Sequence, residues 1–238
     1  GRISRAGLKP AAESLDTVGI LARHVKDADR IYRALADCAP ISFEPPQEPL
    51  PIAYCPSLNW RHASEDARTA ADGFVRSLRD AGLRIDEIEL PETFRDMETM
   101  AKTIHEFEFR RGLAFERLDC PQSCSTSFRT GIGAITQWTG RDYELAVRAA
   151  VECRALFDEL MRPYSVVLTL SATGEAPSGN TTTGDPIMNS VWTLLYASCI
   201  SVPVLRGQNG LPIGLQIVAP QFADDQVLQT ANWLAQLS

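Results

Sequence analysis

The chain has 238 residues, a formal net charge of −7 and an isoelectric point near 5.1. Its apolar fraction of 45%, charged fraction of 22% and mean hydropathy of −0.11 are ordinary for a folded domain, and they exclude extended disorder. No run approaches the roughly 18 apolar residues of a membrane span. The acidic balance argues against nucleic acid and anionic membranes as partners, since both favour clustered Lys and Arg. We expect a small-molecule or protein partner.

The six cysteines are too dispersed for a compact disulfide framework, so we expect reduced thiols and a cytoplasmic location. Cys120 and Cys124 form the one close pair, but no second Cys pair or His-x3-5-His accompanies them. His105-Glu106 begins like a zinc-protease motif, but Phe109 stands where the second histidine is required. We therefore expect neither a metal site nor a cofactor.

The first predicted element is a helix over residues 25–38. Apolar residues recur there at three- and four-residue steps, which predicts a buried face of Ala28, Ile31, Leu35 and Cys38. Four prolines within residues 42–51 then indicate a connector, because proline lacks a backbone donor and disfavours helix before it. We expect residues 1–40 to form an N-terminal loop and helix, and residues 50–238 to form an α/β body.

The body begins with a predicted strand, helix and strand. Residues 51–55 are an apolar strand, and Ser64 caps a helix over residues 64–81 that Gly82 ends. The helix is expected to bury Ala67, Ala71, Phe74 and Leu78. Residues 83–90 form the next strand, so the pattern is a βαβ unit and the fold class is α/β.

Residues 91–163 are predicted to form a helical insertion in the body. Its clearest signal is a helix with a packing face at three- and four-residue spacing: Tyr143, Ala146, Ala150, Cys153, Phe157 and Leu160. The β-branched run 166–168 follows and predicts a central strand. The loop 171–186 is rich in Gly, Ser and Thr, a composition that exposes backbone amides and small hydroxyls and is able to line a pocket.

The last part of the chain predicts a β-hairpin and a helix. Residues 200–206 and 211–218 are strand-like and are joined across Asn209-Gly210, a dipeptide that tolerates positive φ at both central turn positions. Asp224-Asp225 then opens a helix with Val227, Leu228, Ala231 and Leu234 toward the core.

From residue patterns alone, no complete catalytic apparatus emerges. No Gly-x-Ser-x-Gly elbow is present, although spacing alone leaves a Ser-His-Asp triad open. Gly131-Ile-Gly133 lacks the third glycine and the preceding strand of a phosphate-binding loop.

Motifs at both ends of the chain and in its middle add a further indication. They read Gly1-Arg-Ile-Ser-Arg-Ala-Gly7, Ser14-Leu-Asp-Thr-Val-Gly19, Asp142-Tyr143, Gly174-Glu-Ala-Pro177, Thr183-Gly-Asp-Pro186 with Asn189 and Trp192-Thr193, Ser201-Val-Pro203, and Gly210-Leu-Pro-Ile-Gly-Leu-Gln-Ile-Val218. In this order they resemble the C-terminal half of amidase-signature hydrolases. The resemblance implies a mixed β-sheet flanked by helices.

The resemblance also implies amide hydrolysis by a serine nucleophile, with a second serine in a cis peptide linkage and a lysine as proton relay. In the family these residues lie in a Gly/Ser-rich segment, which here would precede Gly1. None of Lys9, Lys26 and Lys102 lies in a motif that matches the catalytic one. We therefore expect no catalytic residue among these 238 and no activity of the chain alone, with a small-molecule amide as substrate once the N-terminal segment complements it.

Three residues are candidates for substrate binding. Asp185 and Asn189 are placed to orient an amide or carboxylate group, and Trp192 to form a pocket wall. The alternative for Asp185 is a plain helix cap. The alternative function is a non-catalytic binding or interaction module that holds a small ligand or an N-terminal partner chain.

A sheet cut midway is expected to expose unpaired strand edges, which we place at residues 51–55 and 166–168. Such edges favour a homo-oligomer or association with an N-terminal partner chain.

Overall fold

The computed structural model describes residues 1–43, 51–56, 58–135, 137–179 and 182–237, which contain both helices and strands. The helices in these ranges are α1 Val25–Ala36, α2 Glu65–Asp80, α3 Met97–Gly112, α4 Ala114–Leu118, α5 Thr126–Ala134, α6 Gly140–Met161, α7 Ile187–Leu194 and α8 Asp224–Leu234. The strands are β1 Ile52–Tyr54, β2 Ile85–Glu87, β3 Val166–Leu170, β4 Ser198–Arg206 and β5 Pro212–Ala219. Most of the proline-rich connector predicted at 42–51 lies outside the described residues.

The five strands form one mixed sheet in the order β2-β1-β3-β5-β4. β1 is parallel to β2 and to β3, while β5 is antiparallel to β3 and to β4. The predicted βαβ unit and hairpin are both present, and the expected α/β fold with a mixed sheet flanked by helices is confirmed.

The predicted strand edges are wrong. β1 lies between β2 and β3, and β3 lies between β1 and β5, so both have neighbours on each side. The hairpin supplies the missing neighbour, because β5 returns from β4 to pair with β3. Within the described residues, the edges of the sheet are β2 and the nine-residue β4.

Every residue of β3 is buried, so helices cover both faces of the sheet. Successive side chains of a strand point to opposite faces. Val166, Leu168 and Leu170 therefore join a core with α2 and α8, while Val167 joins a second core with α3, α6 and α7. Burial on both faces also explains why β3 reads as a continuous apolar run.

The capping signals of α2 and α6 act as the sequence indicates. The hydroxyl of Ser64 accepts a hydrogen bond from Ala67 N, and Thr139 and Asp142 form a capping box at the start of α6. The buried faces differ from expectation at one position each. Val75 is buried in α2, where Phe74 is half-buried, and Met161 is buried in α6, where Leu160 is half-buried.

The predicted face of α1 is wrong. Ile31 and Leu35 are 42% and 49% exposed, and the buried residues of the helix are Asp29, Tyr32 and Arg33. The Arg33 guanidinium decides this orientation. It donates to Asp29 at 2.8 Å within α1 and to Asp225 of α8 at 2.6 Å, so it turns its own face of the helix toward α8.

The hairpin turn uses one residue with positive φ rather than the two expected. Gly210 has φ 79°, whereas Asn209 is outside the left-handed region. Gly210 N donates to Gly207 O at 3.1 Å, and Gly207 N donates to Leu211 O at 3.0 Å. Glycine therefore stands at the single left-handed position of a longer loop.

This orientation of α1 predicts unequal effects of two alanine substitutions. Arg33→Ala removes charge-assisted hydrogen bonds and is expected to lower the free energy of unfolding by about 1.5–3 kcal/mol. Leu35→Ala truncates a half-exposed side chain and is expected to change it by less than about 0.5 kcal/mol. Urea denaturation followed by circular dichroism measures both. A larger loss for Leu35→Ala than for Arg33→Ala would contradict the observed face.

Candidate functional site

A cleft of about 640 Å³ lies where the N-terminal loop, α7, the sheet and the start of α8 meet. Its lining from the body of the chain includes Asn189, Trp192, Thr193, Tyr196, Cys199, Ile200, Gln216, Phe222 and Asp224. The N-terminal loop, between residues 1 and 20, forms the opposite wall. The cleft brings together two of the three predicted substrate-binding residues, Asn189 and Trp192.

Asp185 is exposed and is not among the residues that line this cleft. Its Oδ1 accepts a hydrogen bond from Ile187 N at 3.0 Å, directly before α7. This is the contact that the capping alternative describes. Its predicted role in substrate binding stays a prediction.

Asn189 is half-buried and connects α7 to the start of the pocket loop. Its Nδ2 donates to Ser171 O at 3.0 Å. Ser171 is in turn fixed to β5, because its backbone N and its hydroxyl both lie 3.0 Å from Gly214 O. The hydroxyls of Ser171 and Ser201 are 2.8 Å apart, which joins β4 to the same cluster.

The Ser171 and Ser201 hydroxyls also explain the glycine between them in space. A Cβ built at Gly214 would clash with both oxygen atoms. The small residue therefore lets the two serine side chains approach the backbone of β5.

Trp192 forms part of the cleft floor. It is 1% exposed, and its ring packs against Phe157 of α6 with centroids 5.9 Å apart. Its indole Nε1 is buried and has no hydrogen-bond partner in the described part of the chain.

Gln216 of β5 is a second buried polar residue in the cleft, and sequence reasoning did not select it as a site residue. It is 5% exposed, and its Oε1 also lacks a partner among the described residues. The sequence feature that could have indicated Gln216 is a glutamine within the otherwise apolar run 213–218.

The N-terminal wall of the cleft is fixed by carboxylates. Asp16 Oδ2 accepts from Ala11 N at 2.6 Å and from Ala12 N at 3.0 Å, so Asp16 holds a turn. Glu108 of α3 accepts from Ser14 N and from the Tyr143 hydroxyl, each at 2.8 Å. Burial and the hydrogen bond to Glu108 raise the pKa of Tyr143 to about 12. Tyr143 is therefore a neutral donor near pH 7.

Tyr196 ends α7 in an unusual conformation. Its φ is 57°, and Tyr196 N and Ala197 N donate to Thr193 O and Trp192 O at 3.1 Å each, the pattern of a Schellman motif. Glycine is the usual residue there, because a side chain in the left-handed region costs roughly 1–2 kcal/mol. The Arg154 guanidinium lies 3.5 Å from the ring centroid and stacks on the tyrosine, which offsets part of this cost.

Glu175 fixes the pocket loop to the hairpin turn. Its Oε1 accepts from Asn209 N at 3.0 Å and from Leu211 N at 2.9 Å, and its Oε2 accepts from Asn209 Nδ2 at 2.7 Å. Residues 180 and 181 of this loop lie outside the described residues. The first part of the loop is held at two points: Glu175 bonds it to the hairpin turn, and Asn189 bonds Ser171 to α7.

No Ser–Lys hydrogen bond and no cis peptide bond occur in the ranges that the structure describes. Lys9 pairs with Glu116 at 2.5 Å, and Lys26 and Lys102 are exposed. In the same residues, no group of three or more His, Cys, Asp or Glu side chains is arranged to hold a metal ion. None of the described helices has the length and apolar character of a membrane span.

The sequence profile described as Amidase matches residues 1–228 of the chain. This chain belongs to the amidase family. The match includes the N-terminal wall of the cleft, the pocket loop, α7, the hairpin and the start of α8. Family membership therefore covers each element that lines the cleft.

Curated relatives and solved structures of the amidase family agree with this assignment. The chain is 24% identical to a subunit of the mitochondrial glutamyl-tRNA(Gln) amidotransferase of Ornithorhynchus anatinus, over 99% of this chain and 54% of that protein. It is 25% identical to a fatty acid amide hydrolase of Medicago truncatula, over 97% of this chain and 43% of that protein. A crystal structure of an amidase superposes with a TM-score of 0.87 at 22% identity, over 100% of this chain and 56% of that one. The chain thus spans about half of the length of these relatives.

The Glu175 contacts predict a local change in hydrogen exchange. Glu175→Ala removes the acceptor for Asn209 N and Leu211 N, so exchange of these two amides is expected to accelerate about tenfold or more. Glu175→Gln keeps one carbonyl acceptor and is the matched control, with a smaller acceleration. Nuclear magnetic resonance or mass spectrometry on the turn measures both rates. Unchanged exchange in Glu175→Ala would show that the carboxylate does not hold the turn.

Proposed function

We propose that this chain is the C-terminal part of an amide C–N bond hydrolase of the Ser-cisSer-Lys type. In this proposal it supplies the substrate side of the site and hydrolyses no amide alone. The observation that carries the proposal is the family match over residues 1–228, which includes the whole cleft lining, while no hydrogen bond joins a described lysine to a serine. The nucleophile and proton relay then come from a complementing segment.

The surroundings of the lysines support the proposal that none of them acts as the proton relay. A lysine that relays protons to a serine must be neutral, and this requires burial and a hydrogen bond to the serine. Lys9 is instead 49% exposed and bonded to the carboxylate of Glu116, so it has neither the burial nor the serine partner that such a relay needs. Backbone amides of the complementing segment would also provide the oxyanion hole of acyl transfer.

The proposed substrate is a small-molecule amide that lies in the cleft. Asn189 and Trp192 line that space, and Asp185 stands before the same helix. The names of the relatives refer to an amidotransferase and to an amide hydrolase, and amide chemistry is common to both. The net charge of −7 supports this proposal over a nucleic-acid substrate.

The second candidate function is a non-catalytic binding or interaction module of the amidase fold. The position of β4 at the edge of the sheet of the described residues favours this candidate, since the outward-facing backbone groups of an edge strand are able to pair with another polypeptide. The partner would be an N-terminal chain or a second copy. All six cysteines are unpaired, which supports a reducing, cytoplasmic setting for either function.

The two candidate functions predict different results when a polypeptide with the Gly/Ser-rich signature segment is supplied. We expect the purified chain to release no product from amides and to acquire no adduct from a fluorophosphonate probe in intact-mass analysis. Co-expression with a polypeptide that carries the Gly/Ser-rich signature segment is expected to give amide turnover. Turnover by the chain alone, with an adduct on one of its own serines, would refute the hydrolase proposal as stated. A stable complex without turnover would favour the interaction module.

A further inference from the structure

The helix α1 turns charged residues toward the protein and apolar residues outward. Asp29 and Arg33 are buried, and Arg33 bonds to α8, whereas Ile31 and Leu35 are 42% and 49% exposed. Neither hydrophobic core of the described residues includes Ile31 or Leu35. An amphipathic helix of a folded protein has the opposite arrangement, with its apolar stripe against a packing partner. The outward stripe of α1 therefore calls for an explanation.

The exposed apolar residues of α1 form a periodic set. Ala28, Ile31 and Leu35 follow one another at steps of three and four residues, so they lie on one side of the helix, and they form the outer face of α1. Single exposed apolar side chains are common and need no explanation. A periodic set has the pattern of a face that is buried. The exposed ion pair of Asp27 and Arg30 stands beside this face, as polar residues do at the rim of an interface.

The outer face adjoins the cleft. Ala28 is one of the residues that line the cleft, and Ile31 follows it on the same side of the helix. α1 contacts α8, and α8 contacts β4, which is an edge strand of the described sheet. A polypeptide that extended the sheet from β4 would need helices to cover it, and these would continue the layer that contains α8. The outer face is therefore placed where such a layer would pack.

The amidase fold contains more polypeptide than this chain supplies. The chain superposes over its whole length on a solved amidase and accounts for 56% of that protein. Surfaces between the parts of one fold are apolar, because they belong to its interior. The outer face has this character. A second copy of the chain is a weaker candidate to cover it, since each copy has a net charge of −7 and like charges oppose self-association.

We propose that the outer face of α1 is the docking surface for a separate polypeptide that supplies the remaining part of the amidase fold. This inference rests on the proposed function, because the same polypeptide carries the complementing segment. It adds the surface through which that polypeptide binds. Ile31 and Leu35 form the centre of the contact, and Ala28 places the docked polypeptide beside the cleft.

Alanine substitutions at the outer face test docking without disturbing the fold. The probe is the N-terminal part of an amidase-family relative, ended where its match to this chain begins, and biolayer interferometry measures its affinity for the 238-residue chain. The double variant Ile31→Ala/Leu35→Ala is expected to bind about tenfold or more weakly, because two aliphatic side chains no longer become buried. Its melting temperature is expected to change by less than about 4 °C, because both side chains are half-exposed in the chain alone.

Leu145→Ala is the matched control. Leu145 is 53% exposed on α6, which packs on the opposite face of the sheet, so its truncation is expected to leave the affinity unchanged. Equal affinities of the parent chain and the double variant, or no binding by the parent chain, would overturn the proposal. Self-association of the parent chain that the double variant abolishes would also overturn it, because the outer face would then bind a second copy.

The outcomes separate this inference from the proposed function. A complex that the double variant weakens, but that releases no product from amides, would support docking at α1 and count against the hydrolase proposal. Amide turnover by the complemented chain, with the affinity unchanged in the double variant, would support the hydrolase proposal and overturn docking at α1.

Discussion

The complete burial of β3 is the constraint on which the rest of the structure depends. A strand that is apolar on both faces requires a layer of helices on each side, and α2 with α8 and α6 with α7 supply these layers. The same strand pairs with β5, which brings the hairpin to the centre of the sheet. The pocket loop leaves the end of β3, so it begins at the fully buried strand of the sheet. The burial of β3 therefore determines both the packing of the core and the position of the cleft.

The two faces of β5 differ in polarity. Ile213, Leu215 and Ile217 point into the first core, and the alternate positions carry Gly214, Gln216 and Val218. Gly214 admits the serine pair, and Gln216 is a buried polar residue of this face. Polar groups on a buried face reduce stability unless they are paired. The serine pair meets this condition, because its hydroxyl oxygens are 2.8 Å apart and the Ser171 hydroxyl donates to Gly214 O at 3.0 Å.

Elements determined by local pattern could be predicted from the sequence, and features determined by distant contacts could not. The βαβ unit, α6 and the hairpin follow from periodicity, caps and turn residues in consecutive segments. The orientation of α1 depends on Arg33 reaching Asp225, which lies 192 residues further along the chain. The order of strands determined which edges are free, and no local signal encodes that order. Asn189 and Trp192 were found through motif resemblance, whereas Gln216 became apparent only when its unpaired oxygen was located.

Binding and bond cleavage are physically separable in this fold. The pocket loop is held by Glu175 at the hairpin turn and by Asn189 at α7, and the N-terminal wall is held by Asp16 and Glu108. None of these contacts involves a lysine. Cleavage of an amide needs a nucleophile activated by a neutral base at hydrogen-bond distance, whereas recognition needs only a donor and an acceptor at fixed positions. No described lysine hydrogen-bonds to a serine, so the described residues do not meet the first requirement, whereas the cleft and its fixed walls are present. The contacts that hold the walls of the cleft lie within the described residues and need no catalytic segment, so the proposed hydrolase and the proposed binding module share one cleft.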